Sequence, residues 1–396
     1  MTGSIKLRVT GLTKIFGGAP KRALQHLQEG KDRDWILQQT GNLVAVSDVS
    51  FNVQSGEIFV VMGLSGSGKS TLIRCINRLF EPTSGSVLID DEDVTKANDE
   101  QLRRLRLMKV AMVFQHFALF PHKTVIENVE FGLKIRGMAT EERHSRAMAV
   151  LEQVGLNAWA ENYPSSLSGG MQQRVGLARS LAVDPEILLM DEAFSALDPL
   201  IRREMQEELL ALQRKVRKTI VFITHDLHEA LILGNRVAIM KEGRFVQVAS
   251  PQEIVAHPAD DYVTAFTRDV DRSRIFTARD VMTQAPVLRP SDTIATAVRN
   301  LKASGKAHCH VIDDEGRVVG LISQEQLIGL GARSSVAKAM MRQFPQTASA
   351  TELIALYRAC ADNLPIAVIN EVGEFLGSVE PSAIWRRVAV GLEDEH

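Results

Sequence analysis

Gly63-Leu64-Ser65-Gly66-Ser67-Gly68-Lys69-Ser70-Thr71 is a run whose residue types suit a polyphosphate. Its glycines let the backbone curl until several N–H groups point inward, with Ser65, Ser67 and Thr71 lining the same cradle. Lys69 supplies a point charge for the β- and γ-phosphate oxygens, and the Ser70 hydroxyl can face Mg2+. The apolar stretch Ile58 to Met62 precedes this run and the amphipathic stretch Thr71 to Leu79 follows it. That is the strand, loop and helix order the chemistry needs, and the positive end of the helix adds to it.

Three further strand ends carry groups of matching use. Ile187 to Glu192 reads as a buried strand ending in two carboxylates. Asp191 is expected to hold Mg2+ through its water shell, and Glu192, turned elsewhere by the strand pleat, suits a general base for an attacking water. His225 closes the apolar strand Thr219 to Thr224 and can contact the γ-phosphate and orient that water. Gln115 closes Val110 to Phe114 and can touch the metal or the water. Alone, either of these last two would be an ordinary surface residue.

Leu167-Ser168-Gly169-Gly170-Met171-Gln172-Gln173-Arg174 discriminates most strongly. Ser168 is a good N-cap for the helix that carries Val175, Leu177, Ala178 and Leu181, so the segment is a second anion site in a chain that already has one. One γ-phosphate needs one cradle per subunit. The economical reading is that Ser168, Gly169 and Gly170 grip a nucleotide held by another copy of the chain.

The elements that must position these groups follow from hydropathy. Residues 5–16 and 43–54 carry period-two patterning, and the polar, helix-like segment Gly17 to Asn42 lies between them. From Glu57 to about Ala249, short apolar strands alternate with amphipathic helices, an α/β pattern with a largely parallel sheet. Pro251 to Asp271 reads as a closing helix and linker, broken at His257-Pro258. After Ile275 a weak repeat begins: Asp280-Val281-Met282-Thr283 is echoed by Lys338-Ala339-Met340-Met341. Each is followed by a helix (Ser291 to Ala303, Ser349 to Ala361) and a strand, turn and strand. Two copies of about 57 residues suit a pair of small β-α-β-β-α units packed on each other.

With 396 residues, 45% of them hydrophobic, the chain has material for two or three cores. A net charge of −2 argues against a nucleic-acid partner. Cys75, Cys309 and Cys360 lie far apart, which fits a reducing compartment and offers no zinc or disulfide framework. No stretch approaches the ~20 apolar residues of a membrane span, and Met1 to Thr10 lacks the apolar core of a signal peptide.

Glycine loop, Gln115, the Leu167 to Arg174 segment, the acidic strand with its following Glu, Ser195-Ala196-Leu197-Asp198 and His225 together resemble the ATP-binding-cassette (ABC) ATPases, over residues 1 to about 270. The resemblance implies a P-loop NTPase of ABC type: a mostly parallel sheet, an antiparallel β-subdomain and a helical signature subdomain. It implies ATP and Mg2+ as cofactors, a homodimer with two ATP molecules sandwiched between subunits, and Asp198 communicating across that interface. Phe16 is similar to the aromatic that stacks on adenine; a core role for it stays open. The insertion 17–42, the run Phe114 to His122 and the run Asp191 to Arg202 together resemble the ATPase subunits of glycine betaine/proline betaine importers. The C-terminal repeat looks like the α+β tandem of cystathionine-β-synthase (CBS) modules found in that branch, expected at 271–333 and 334–396.

That resemblance implies a permease docking near Ala118 to Val129, an extracytoplasmic binding protein acting indirectly, and a peripheral place on the cytoplasmic face of the inner membrane. Other small cargoes such as choline, an amino acid or a polyamine stay open, as does, more remotely, a soluble ABC ATPase outside transport. The CBS pair is expected to regulate, by osmotic or ionic-strength sensing, or to dimerise. Neither Gly320-Leu321-Ile322-Ser323-Gln324-Glu325-Gln326 nor Gly377-Ser378-Val379-Glu380-Pro381-Ser382-Ala383 carries the Asp that nucleotide-binding CBS modules place on ribose. The insertion is read as extra packing or as a contact surface, and the tail Glu393-Asp394-Glu395 as a solvated end or a regulatory charge.

Overall fold

The computed structural model describes residues 4–115, 118–195 and 197–389. His116, Phe117 and Ala196, which belong to the runs above, and the acidic tail Glu393 to Glu395 lie outside the described residues. The chain divides into two compact units that meet between Thr267 and Arg268.

The first unit opens with β1 (Ile5–Phe16), the short helices α1 (Pro20–Gln28) and α2 (Arg33–Thr40), and β2 (Leu43–Gln54). It continues through β3 (Ile58–Met62), α3 (Lys69–Ile76), β4 (Ser84–Ile89), β5 (Glu92–Asp93), α4 (Asp99–Met108) and β6 (Val110–Val113). Next come α5 (Val125–Ile135), α6 (Thr140–Gln153), α7 (Gly169–Ala182), β7 (Ile187–Asp191), α8 (Pro199–Val216), β8 (Thr219–Thr224) and α9 (Leu227–Leu233). It closes with β9 (Arg236–Lys241), β10 (Arg244–Ala249), α10 (Pro251–Ala256) and α11 (Asp261–Thr267).

An antiparallel sheet, ordered β2-β1-β4-β5, packs on a six-stranded sheet ordered β10-β9-β3-β8-β7-β6. Strands β9, β3, β8, β7 and β6 run parallel. Every residue of β3, β7 and β8 is buried, as strands covered on both faces require. β2 instead alternates buried and exposed residues, because only one of its faces meets the core. There Phe51 stacks on Phe59 at 4.7 Å between ring centroids. Helices α5, α6 and α7 build a separate apolar cluster around Val129, Leu133, Leu151 and Ala178. The insertion holds α1 and α2 against the end of β1 and β2, burying Ala23 and Ile36 with Ile15 and Val44.

Helix α3 starts two residues before the expected Thr71 and stops at Ile76, so Lys69 and Ser70 stand in its first turn. Arg78 (φ 50°) turns the chain away before Leu79. The strand before Gln115 ends at Val113, which leaves Gln115 in a bend two residues beyond it.

The second unit contains α12 (Arg272–Ile275), α13 (Ala278–Val281), β11 (Val287–Leu288), α14 (Ile294–Ser304), β12 (His308–Ile312) and β13 (Val318–Ser323). These are followed by β14 (Gln346–Ala348), α15 (Leu353–Leu356), β15 (Ile366–Ile369), β16 (Phe375–Val379) and α16 (Pro381–Ala389). Both halves fold alike, a parallel pair followed by an antiparallel one: β11-β12-β13 and β14-β15-β16. The helix expected over Ser349 to Ala361 is broken: four α-helical residues give way to a 3-10 turn at Tyr357–Cys360.

The sequence echo has a physical cause. Thr283, ahead of the first half, pairs with Ser378 of the second, and Met341, ahead of the second, pairs with Leu321 of the first. The crossing segments lie so close that a Cβ at Gly320 would meet Met340 Sδ at 2.7 Å, and one at Gly377 would meet the Thr283 carbonyl oxygen at 3.0 Å.

His310 on β12 is 1% exposed, and its Nε2 lies 3.0 Å from Ser378 Oγ. Burial pushes its pKa down to about 4, and Lys306 and His308 add to the effect. The unfolded chain therefore takes up a proton near the ordinary histidine value that the folded chain refuses. Stability is expected to fall as pH drops from about 6.5 toward 4, by about 1.4 kcal/mol per pH unit at most from this group. Thermal melts of the full chain across that window check it: the His310→Gln variant should lose less stability on acidification than the parent protein.

Candidate active site

Strands β3, β8, β7 and β6 are parallel and adjacent, so their carboxyl ends share one sheet edge. Each delivers one of the groups singled out from sequence: the glycine loop, His225, Asp191 with Glu192, and Gln115. This is where ligands bind in open α/β sheets.

The glycine loop fits a polyphosphate. Gly68 adopts φ 103°, and a Cβ there would come 2.2 Å from the Ala45 carbonyl oxygen, so only glycine closes the loop onto β2. The Ser67 hydroxyl oxygen is buried and, among the described residues, has no hydrogen-bond partner. Lys69 is 4% exposed and donates from Nζ to the carbonyl oxygens of Gly63 (2.8 Å) and Leu64 (3.0 Å). Burial lowers its pKa, while Glu192 and Asp191 oppose that shift.

Asp191 is fully buried. Its Oδ1 accepts a hydrogen bond from Ser70 Oγ at 2.7 Å and its Oδ2 one from Arg74 at 3.3 Å. Arg74 was missed from sequence. Its signal was its place four residues after Ser70, on the same helix face. The guanidinium also sits over Phe80, whose ring meets Phe16 edge-on at 5.3 Å. Phe16 is half-buried at the end of β1, with Lys14 Nζ 4.9 Å from its ring centre.

From sequence the strand pleat is expected to turn Glu192 aside; the structure instead takes it out of the strand altogether. Glu192 lies past the end of β7 at φ 48°, a left-handed turn that re-aims its side chain. Its Oε2 accepts from Gln115 Nε2 at 3.2 Å and lies 3.1 Å from His225 Nδ1, and its Oε1 is 3.9 Å from Lys69 Nζ. An imidazole bonds a carboxylate only through a protonated nitrogen, so Nδ1 carries the hydrogen in this arrangement.

Ser168, at the exposed start of α7, accepts from Met171 N at 3.3 Å. Gly170 is also needed within the subunit, since a Cβ there would lie 2.8 Å from Ile201 Cγ2. Asp198 caps α8, accepting from the Leu200 and Ile201 amides at 3.1 Å each. The segment after Gln115 is held by Asn128, which bonds both backbone groups of Phe120 and the carbonyls of Lys123 and Thr124. Pro121 and His122 stay exposed.

A glycine-bound phosphate cradle, a buried Asp on the neighbouring strand end and a tethered Glu and His define an ATP-hydrolysing cassette. Residues 46–195 match the ABC transporter family and residues 278–332 the CBS domain family. A dimeric ATP-binding cassette, MJ0796, solved in a post-hydrolysis state with ADP and Pi, aligns with a TM-score of 0.53 at 33% identity. It covers 62% of this chain and 98% of that one.

Two relatives narrow this further. The glycine betaine/proline betaine transport system ATP-binding protein ProV of Salmonella typhimurium is 46% identical, over 95% of this chain and 96% of its own. The trimethylamine N-oxide transport system ATP-binding protein TmoW of Pelagibacter ubique is 45% identical over 81% of this chain and 96% of its own. The chain belongs to the glycine betaine/proline betaine transport family of ABC ATP-binding subunits. It is an ATP hydrolase that powers transport through a membrane permease. Among the described residues, no helix is long and apolar enough to cross a membrane.

Proposed function

We propose that this chain drives uptake of glycine betaine or proline betaine through its permease, from the cytoplasmic face of the inner membrane. The observation that carries the catalytic part is the convergence of Gln115 and His225 on one oxygen of Glu192. A carboxylate held from two sides is aimed as a base, and water that gives it a proton is oriented at the same time. The near-full-length likeness to ProV supports the cargo.

The glycine loop, Lys69 and Thr71 would hold the triphosphate, and Phe16 the adenine. Ser70 and Asp191, already 2.7 Å apart, would hold Mg2+ together with Gln115. Bound there, the ion neutralises charge on the phosphates. Ser168 to Gly170 of one subunit would close on nucleotide held by a second copy, with Asp198 reporting across the interface. The exposed turn at Pro121 and His122, within the Ala118 to Val129 docking segment, would meet the permease, which an extracytoplasmic binding protein loads.

The test is transport. The full chain is affinity-tagged, and the native membrane complex that co-purifies with it is isolated and reconstituted in proteoliposomes with its binding protein. ATP-dependent accumulation of labelled glycine betaine is expected, with proline betaine competing. Accumulation of trimethylamine N-oxide or choline instead would overturn the cargo and leave the ATPase assignment standing.

A further inference from the structure

The run Asp191 to Arg202 ends in a residue that the reading above leaves without a task. Arg202 lies one turn into α8, behind the Asp198 cap. Its guanidinium donates to the Leu197 carbonyl oxygen at 3.1 Å and to Asp226 Oδ2 at 3.4 Å. Its Nε lies 3.7 Å from Glu229 Oε1. Glu229 is 4% exposed and has two further partners: Gln206 Nε2 donates to the same Oε1 at 3.2 Å, and on the other side Thr224 Oγ1 donates to Oε2 at 2.6 Å. Thr224 Oγ1 in turn accepts from Asp226 N at 3.0 Å.

Thr224 and Asp226 are the two residues that flank His225. Leu197 is the residue before Asp198. One side chain therefore ties the backbone leading to Asp198 to both sides of His225, through a buried carboxylate. Arg202 and Gln206, four apart on α8, approach Glu229 from one helix face. A buried acid of this kind is costly to leave half-paired, so the geometry is set tightly or the fold suffers.

We propose that Arg202 and Glu229 form a clamp that sets where His225 stands relative to Asp198, making Arg202 a positioning residue for hydrolysis. The proposal rests on the roles given above to His225 and Asp198. A clamp does something a structural ion pair does not: it fixes a distance. A neutral pair of the same size can restore packing without restoring that distance.

The experiment uses the purified full-length chain and the variants Arg202→Met, Glu229→Gln, the double variant and His225→Ala. Each is measured for melting temperature and for kcat and KM with ATP. Arg202→Met is expected to lose stability and to lower kcat between about ten- and a hundred-fold, with KM unchanged. The double variant should regain its melting temperature, since no buried charge is left unpaired, yet keep the low kcat. If kcat returns along with stability, Arg202 is a fold-stabilising partner only and the proposal falls. His225→Ala separates the two layers. Wild-type kcat in that variant overturns the His225 role and the clamp with it. A collapsed kcat there, beside a normal one in the double variant, overturns the clamp alone.

Discussion

Replacing Glu192 by Gln is expected to cut ATP hydrolysis by between about a hundred- and ten-thousand-fold while leaving ATP binding within a few-fold of the parent. The carboxamide has the same shape, tolerates the left-handed turn at φ 48° no worse than Glu, and can still accept from Gln115 and His225. What it lacks is basicity, so the attacking water keeps its proton. Phosphate release measures the loss, and calorimetry measures the binding that survives. Because bound nucleotide then persists, the variant should also elute as a dimer with ATP and Mg2+ in light-scattering chromatography. Turnover within tenfold of the parent would remove Glu192 from the base role, and a monomer saturated with ATP would remove the shared site.

Lys69→Ala should show the complementary pattern, a loss at the binding step. The ammonium is 4% exposed and donates to the carbonyl oxygens of Gly63 and Leu64, which hold it inside the loop. Removing a buried, hydrogen-bonded charge from a polyanion site costs on the order of 3 kcal/mol, about a hundred-fold in Kd. Asp191 keeps Arg74 and Ser70 as partners in the variant, so the strand end itself should hold. Titration calorimetry with ATP gives the affinity, and a melting curve without nucleotide shows whether the fold is intact. An unchanged Kd in a folded protein would mean that the loop amides alone carry the phosphates.

Much of this molecule could be read before any coordinates. Strands over 5–16, 43–54, 58–62 and 219–224 stand where hydropathy placed them, because alternation and short apolar runs are local signals. The repeat after Ile275 was visible because crossing segments demand a Met against a Gly twice over, at Met340 with Gly320 and at Met282 with Gly377. Helix ends were less legible. Arg78 and the 3-10 turn at Tyr357–Cys360 end their helices through backbone geometry that residue type does not announce.

The residue types at the site, their order along the chain and the strands that carry them were determined by the sequence alone, since each lies within a few residues of the pattern that reveals it. The direction of Glu192 was not. It depends on a left-handed turn, and the groups that hold it come from 77 and 33 residues away. Ser70 meets Asp191 across 121 residues, and Arg202 and Gln206 meet Glu229 only because α8 packs beside α9. Contacts at such separations arise when strands become neighbours in a sheet, and strand order is decided by packing of the whole domain, which leaves no periodicity in the chain.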